Sequence, residues 1–150
     1  MDIFEKELNH VLVDTFNNIL KYEETSLKKA LNVPVTITEA HMIEAVGNQG
    51  NKEMTVSKIA ALLNIAMPTA TVAVKKLESK GFIKKVPCEK DGRSTIISLT
   101  DAGRRIEKMH RLFHEKMVRN ISGLFDAPEK DILLRVTTKL SDYFKEKVEA

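Results

Sequence analysis

The stretch that decides the fold reads Thr55-Val-Ser-Lys-Ile-Ala-Ala-Leu-Leu-Asn-Ile-Ala-Met-Pro-Thr-Ala-Thr-Val-Ala-Val-Lys-Lys-Leu-Glu-Ser-Lys-Gly81 and continues from Phe82 to Thr100. Val56, Ile59, Ala60 and Leu63 recur at steps of three and four, which predicts a short amphipathic helix over 56–63 with Thr55 as its N-cap. Asn64 suits the end of that helix. Met67-Pro68 opens a second helix, because the missing proline N–H has no partner to lose in a first turn. Ala70, Ala73, Val74 and Leu77 share one face of it, and the small side chains allow close packing on the helix before. Thr69, Thr71, Val72, Lys75 and Lys76 present the other face. Gly81 ends the helix, Phe82 to Pro87 reads as a strand, Asp91-Gly92 is a hairpin-turn pair, and β-branched Thr95 to Leu99 returns. A helix, a tight turn, a second helix and a basic hairpin make a helix-turn-helix with a wing, a device for reading duplex DNA.

Outward from this module both ends of the chain are helical. Ile3, Phe4, Leu8, Val11, Leu12, Phe16, Ile19, Leu20 and Leu27 set a helical period from Ile3 to about Ala30, with no Gly or Pro before Val33-Pro34. Thr38 is the expected N-cap of a helix from Glu39 to Val46 that stops at Gly47. A polar loop follows, and Glu53-Met54 is expected to pair briefly with the wing. Thr100 caps a long helix from Asp101 to about Leu124 with Ile106, Met109, Phe113, Met117 and Ile121 as its stripe. Ala127-Pro128 opens the last helix, whose apolar face is Ile132, Leu133, Val136, Leu140, Tyr143 and Phe144. The expected fold is therefore mostly α: one domain over 1–150, with a winged helix-turn-helix and its small β wing over 36–100. The flanking helices of 1–35 and 101–150 form the dimerisation and effector region. Neither terminal block makes a convincing domain alone, and two chains together make a helical platform.

Composition narrows the function classes. With 43% apolar and 30% charged residues the 150-residue chain is globular. Net charge is only +3, but seven basic residues (Lys75, Lys76, Lys80, Lys84, Lys85, Lys90, Arg93) lie between 75 and 93 beside three acidic ones (Glu78, Glu89, Asp91). The rest of the chain carries 17 basic and 18 acidic groups, so the positive excess belongs to one helix and hairpin placed to meet phosphates. A single cysteine builds no disulfide framework and points to the cytoplasm. Nothing approaches a membrane span or a signal peptide. There is no phosphate-binding Gly loop, nucleophile motif or paired catalytic carboxylate frame, and His110 and His114 flank Arg111 where a zinc-protease helix carries Glu, so the chain does not read as an enzyme.

Asp91-Gly92-Arg93, five residues, then Leu99-Thr100-Asp-Ala-Gly103 resembles the wing signature of the MarR family of bacterial regulators. Leu77-Glu78-Ser-Lys-Gly81-Phe-Ile-Lys-Lys is similar to that family's helix-to-wing junction, and Met67-Pro68-Thr69-Ala70-Thr71 to the start of its reading helix. The resemblance implies a homodimer whose terminal helices associate and whose two winged modules bind a pseudo-palindromic operator, most often as a repressor. One position departs: relatives often carry a basic residue where this chain has Val72. Phe16-Asn17-Asn18-Ile19-Leu20 through Glu23-Glu24, with Ser26-Leu27-Lys28, and His110-Arg-Leu-Phe113-His114-Glu-Lys-Met117 are similar to the FabT-type branch. That branch represses fatty-acid biosynthesis in response to long-chain acyl groups on acyl carrier protein.

On this reading Thr69 and Thr71 offer hydroxyls to bases or phosphates, Lys75 and Lys76 neutralise phosphate, and Val72 offers contact to a thymine methyl but no bidentate guanine pairing. Ser57 holds the DNA backbone. Arg93 enters a narrow minor groove from the wing tip, and Asp91 holds it there by a salt bridge. The alternative is a winged helix used for protein–protein contact.

For the effector, Glu24, His41, His110 and His114 form a candidate set. Imidazole and carboxylate suit zinc, and the set resembles the main site of the family's zinc sensors, although Ala40 and Met109 stand where those place acidic ligands of a second site. The competing readings are a filled core or an apolar slot for an acyl chain or other hydrophobic molecule, lined by Met, Leu and Phe of the first and fifth helices. Cys88 is expected to be an exposed wing thiol without a role, near Lys84, Lys85 and Lys90.

Overall fold

The computed structural model describes residues 1–48, 53–88 and 95–149. Five of the six helices among the described residues start where a side chain takes up a free amide. Asp2 accepts from the Glu5 amide and Glu5 from the Asp2 amide, both at 2.8 Å, and this reciprocal pair opens α1, Ile3–Leu31. Asn32, at φ 46°, closes it in the left-handed region. The second helix, α2 (Ile37–Gly47), begins earlier than the pattern predicts. Its cap is Thr36, not Thr38: Thr36 Oγ1 accepts from the Glu39 amide at 3.2 Å, and the Glu39 carboxylate accepts from the Thr36 amide at 3.0 Å. Thr36-x-x-Glu39 completes a capping box; three residues beyond Thr38 stands His41, which cannot replace the carboxylate.

Thr55 caps α3 (Val56–Leu62) as expected, accepting from the Lys58 amide at 3.3 Å. Asn64 at φ 50° then turns the chain, and the axis swings by 113° into α4 (Met67–Ser79). That angle lies in the range of a helix-turn-helix. Gly81, at φ 76°, releases α4 into β1 (Ile83–Pro87), which pairs antiparallel with β2 (Thr95–Leu99) in the register Ile83↔Leu99 to Pro87↔Thr95. Met54 adds the anticipated bridge, to Ile97.

Thr100 ties the wing to α5 (Asp101–Ser122): its hydroxyl donates to the Gly81 carbonyl at 2.6 Å and its oxygen accepts from the Gly103 amide at 3.1 Å. A β-carbon on Gly103 would stand 2.0 Å from the Phe82 carbonyl oxygen, so only glycine lets α5 start this close to the strand. The last helix, α6 (Ala127–Glu149), opens on a third reciprocal pair, Asp126 with Glu129, both bonds at 2.9 Å.

The chain divides into two compact units, residues 1–113 and 114–150, with α5 passing through the boundary. In the first unit Leu27, Ile43, Ile59, Val74, Leu77, Ile97 and Ile106 are almost fully buried and form the core on which α2, α3, α4 and the wing converge. Half of α1 is outside that core: Ile3, Phe4, Val11 and Phe16 are all more than half exposed. In the second unit α6 leaves Ile132, Leu134, Tyr143 and Phe144 more than half exposed. No single helix among the described residues is long and apolar enough to cross a membrane.

Candidate nucleic-acid interface and a buried histidine cluster

Helix α4 has two unlike faces. Ala70, Val74 and Leu77 are almost completely buried, which fixes the helix in the core. The opposite face presents Thr69, Val72 and Lys75 to solvent, with Val72 67% exposed. Thr71 is half-buried and its hydroxyl donates to the Met67 carbonyl at 2.9 Å, so its proton is committed within the helix. Ser57 is exposed on α3, with its hydroxyl 3.0 Å from that of Thr55. Lys75 and Lys84 are exposed and make no ion pair among the described residues, whereas Lys85 pairs with Glu78 at 2.8 Å. Asp91, Arg93 and the Asp91-Gly92 turn lie outside the described residues.

Lys76 reaches toward α2, where its ammonium is 3.4 Å from Glu39. Glu39 is buried, and both its oxygens are 2.8 Å from Lys80 Nζ, which also donates to the Pro34 carbonyl at 3.1 Å. Burial pushes the Glu39 carboxyl up, but the Lys80 hydrogen bonds, the Thr36 amide and the lysine charges more than offset it and hold the group below its ordinary value. The same carboxylate therefore closes the cap of α2 and anchors the C-terminal half of α4. A groove of about 310 Å³ beside this pair, between α2 and α4, is lined by Met42, Ala73 and Leu77 with Thr36, Thr38 and Lys76.

A second polar cluster lies within the first unit. Glu23, on α1, is 2% exposed, and His110, on α5, is fully buried. One oxygen of Glu23 meets Nε2 of His110 and, at 3.2 Å, Nε2 of His41 from α2; the two imidazole centres are 5.2 Å apart. On its other side His110 places Nδ1 2.6 Å from the Glu44 carboxylate. Burial raises Glu23, but the His110 hydrogen bond and the two histidine charges outweigh it and leave the carboxyl below its ordinary value. The expected acid, Glu24, is not in this cluster. It is half-exposed and pairs along the helix with Lys28 at 2.8 Å, because adjacent residues on α1 point about 100° apart and only Glu23 faces the histidines. His114 stands one helical turn beyond His110 in α5, at the start of the second unit.

Cys88 also departs from expectation. It is buried, and its Sγ lies 3.6 Å from both carboxylate oxygens of Glu53, so an acid faces it. Glu39, Lys80, Glu23 and Glu44 were not singled out from sequence. The Thr36-x-x-Glu39 spacing carries the signal for the cap alone; the Glu39–Lys80 pair joins residues 41 apart in the chain, and the Glu23–His110 pair residues 87 apart.

Comparison with known proteins places this geometry among relatives. Residues 35–95 match the model of the MarR family. Among curated proteins, the chain is 28% identical over 100 residues to an uncharacterised helix-turn-helix transcriptional regulator, YhjH, and 35% identical over 86 residues to another, YwaE, both of Bacillus subtilis. The aligned parts are 66% and 57% of this chain and 56% and 50% of those proteins, so the chain spans about half the length of the curated relatives it matches. Among solved structures it is similar to Streptococcus pneumoniae FabT in complex with DNA, at 30% identity and a TM-score of 0.87 over 95% of this chain and 98% of that one. Staphylococcus aureus MepR in a DNA complex shares the fold at 16% identity and a TM-score of 0.73, over 91% and 95%.

Proposed function

We propose that this chain, a member of the MarR family of transcriptional regulators, is a cytoplasmic homodimeric repressor that binds a pseudo-palindromic duplex through α4 and the wing. A member of that family is a transcriptional regulator and not an enzyme. The observation that carries the DNA reading is the outward face of α4: Thr69, Val72 and Lys75 stand exposed on a helix whose inner face is completely packed. The similarity to FabT, solved on DNA, spans nearly the whole chain and supports the same use of the module. Arg93, from the wing tip, enters the minor groove with Asp91 holding it. The exposed apolar residues of α1 and of α6 supply the surface a partner chain covers, since apolar area of this extent on a regulator is an association surface. The test is selection of duplexes from a random library by the full-length protein. The expected result is an enriched inverted repeat bound by one dimer; recovery of unenriched sequence sinks this reading.

The effector reading that the FabT likeness supports is a long-chain acyl group presented by acyl carrier protein, with fatty-acid biosynthesis as the controlled process. A second reading is favoured by the buried cluster. The ligand atoms of Glu23, His41 and His110 lie within 4.8 Å of one another, and one carboxylate with two imidazoles is a donor set that suits zinc. Those three residues would hold the ion. Native mass spectrometry of protein purified without chelator separates the two: a bound acyl species supports the first, a stoichiometric metal the second.

A further inference from the structure

Given the proposed entry of α4 into the major groove, on which this rests, we infer that the half-site is read through a thymine methyl group, with Val72 the specificity-determining residue and Thr69 beside it. The case rests on what α4 carries and what it lacks. Of the side chains that pair with a base edge at two points (Arg, Lys, Asn, Gln), Met67–Ser79 contains lysines only. Lys76 is drawn toward α2 by the buried Glu39 at 3.4 Å. Lys75 is a flexible point charge of the kind that suits a phosphate. Thr71 spends its hydroxyl proton on the Met67 carbonyl. Thr69 and Val72 are left, three residues apart and so on one face, both exposed and both bearing a γ-methyl.

The chemistry of the groove then selects the base. Among the four bases only thymine presents an apolar group in the major groove, its C5-methyl. A valine in a helix is held almost entirely in one χ1 rotamer, so the isopropyl group arrives in a fixed place with little entropy left to lose. Against cytosine or guanine it would cover polar atoms and give nothing back, which discriminates by desolvation. Val72 is 67% exposed while the apolar residues of the opposite face are almost fully buried, so nothing in the fold of the described residues occupies it.

The test uses full-length protein and a duplex it has itself selected, resynthesised with deoxyuridine replacing thymidine one position at a time. Deoxyuridine removes only the methyl. For the wild-type protein, one position in each half-site should weaken binding by about fourfold, the contribution of one buried methyl. Val72→Ala should bind the unmodified duplex correspondingly less well and show no deoxyuridine penalty there, while penalties elsewhere stay. Val72→Thr, which keeps one methyl, should retain part of it. A flat deoxyuridine scan with wild-type protein overturns the inference but leaves DNA binding intact. So does a penalty that survives in Val72→Ala, or a selected half-site without thymine. Failure to select any duplex overturns the DNA reading itself, and the inference with it.

Discussion

Replacing Glu39 by Gln isolates the charge that holds α4 to α2. The exchange keeps the volume, and the amide oxygen can still accept from the Thr36 amide, so the helix cap survives. What is lost is the charge behind two contacts of 2.8 Å from Lys80 and one of 3.4 Å from Lys76. Hydrogen bonds to charged groups contribute about 1.5–3 kcal/mol each, and breaking a fully buried pair costs about 3–5 kcal/mol. The lysine side chains are 27% and 59% exposed, so water replaces much of what they lose, and Lys80 keeps the Pro34 carbonyl. A loss of about 2 kcal/mol follows, or a fall in Tm of about 4–8 °C for a domain of this size. The pH dependence has a definite sign. A depressed carboxyl contributes stability that is complete above its unfolded pKa and vanishes as pH falls through the folded one. The gap between wild type and Glu39→Gln should therefore be full at pH 7 and close below about pH 4. Urea unfolding at fixed protein concentration, at pH 7, 5 and 3.5, measures it; the concentration matters because association adds to apparent stability. A gap under about 0.5 kcal/mol at pH 7, or an equal gap at pH 3.5, refutes the anchor.

Three further outcomes are expected. Gly103→Ala drives a β-carbon to within 2.0 Å of the Phe82 carbonyl and should cost about 2–3 kcal/mol in urea unfolding; a variant as stable as wild type would contradict the close approach. Glu23→Gln should destabilise by about 2–3 kcal/mol because two histidines lose the buried carboxylate charge that faces them, whereas Glu24→Gln should change stability by less than about 0.5 kcal/mol; equal effects would refute the assignment. Arg93→Ala should abolish tight operator binding while circular dichroism and dimer mass stay unchanged, and an undiminished affinity removes the wing from the interface.

The reading module was legible because its signals are local. Thr55, Asn64, Pro68 and Gly81 punctuate the chain through their own backbone chemistry, and the alternation of buried and exposed positions on α4 follows from spacing alone. What escaped the sequence was decided by contacts across the fold. The periodicity of α1 shows a helix but not which of two adjacent acids faces inward; that depends on His41 and His110, far along the chain. Thr36 and Thr38 compete as caps, and Glu39 decides between them. Cys88 sits in a segment that reads as exposed wing, yet it is buried with Glu53 against its thiol. The terminal helices are the least legible part, because a stripe of Met, Leu and Phe spells a filled core and a slot alike.

The central claim is that the basic module meets duplex DNA as a dimer, and the salt dependence of binding tests it most directly. On the proposed docking each protomer brings Lys75 and Lys84 to phosphates and the charge of Arg93 into the minor groove, so one dimer on one selected duplex should displace the counterions of about six phosphates. The logarithm of the association constant should then fall with the logarithm of salt concentration at a slope of about −5. A slope near zero, or a stoichiometry of one chain per duplex, would contradict it.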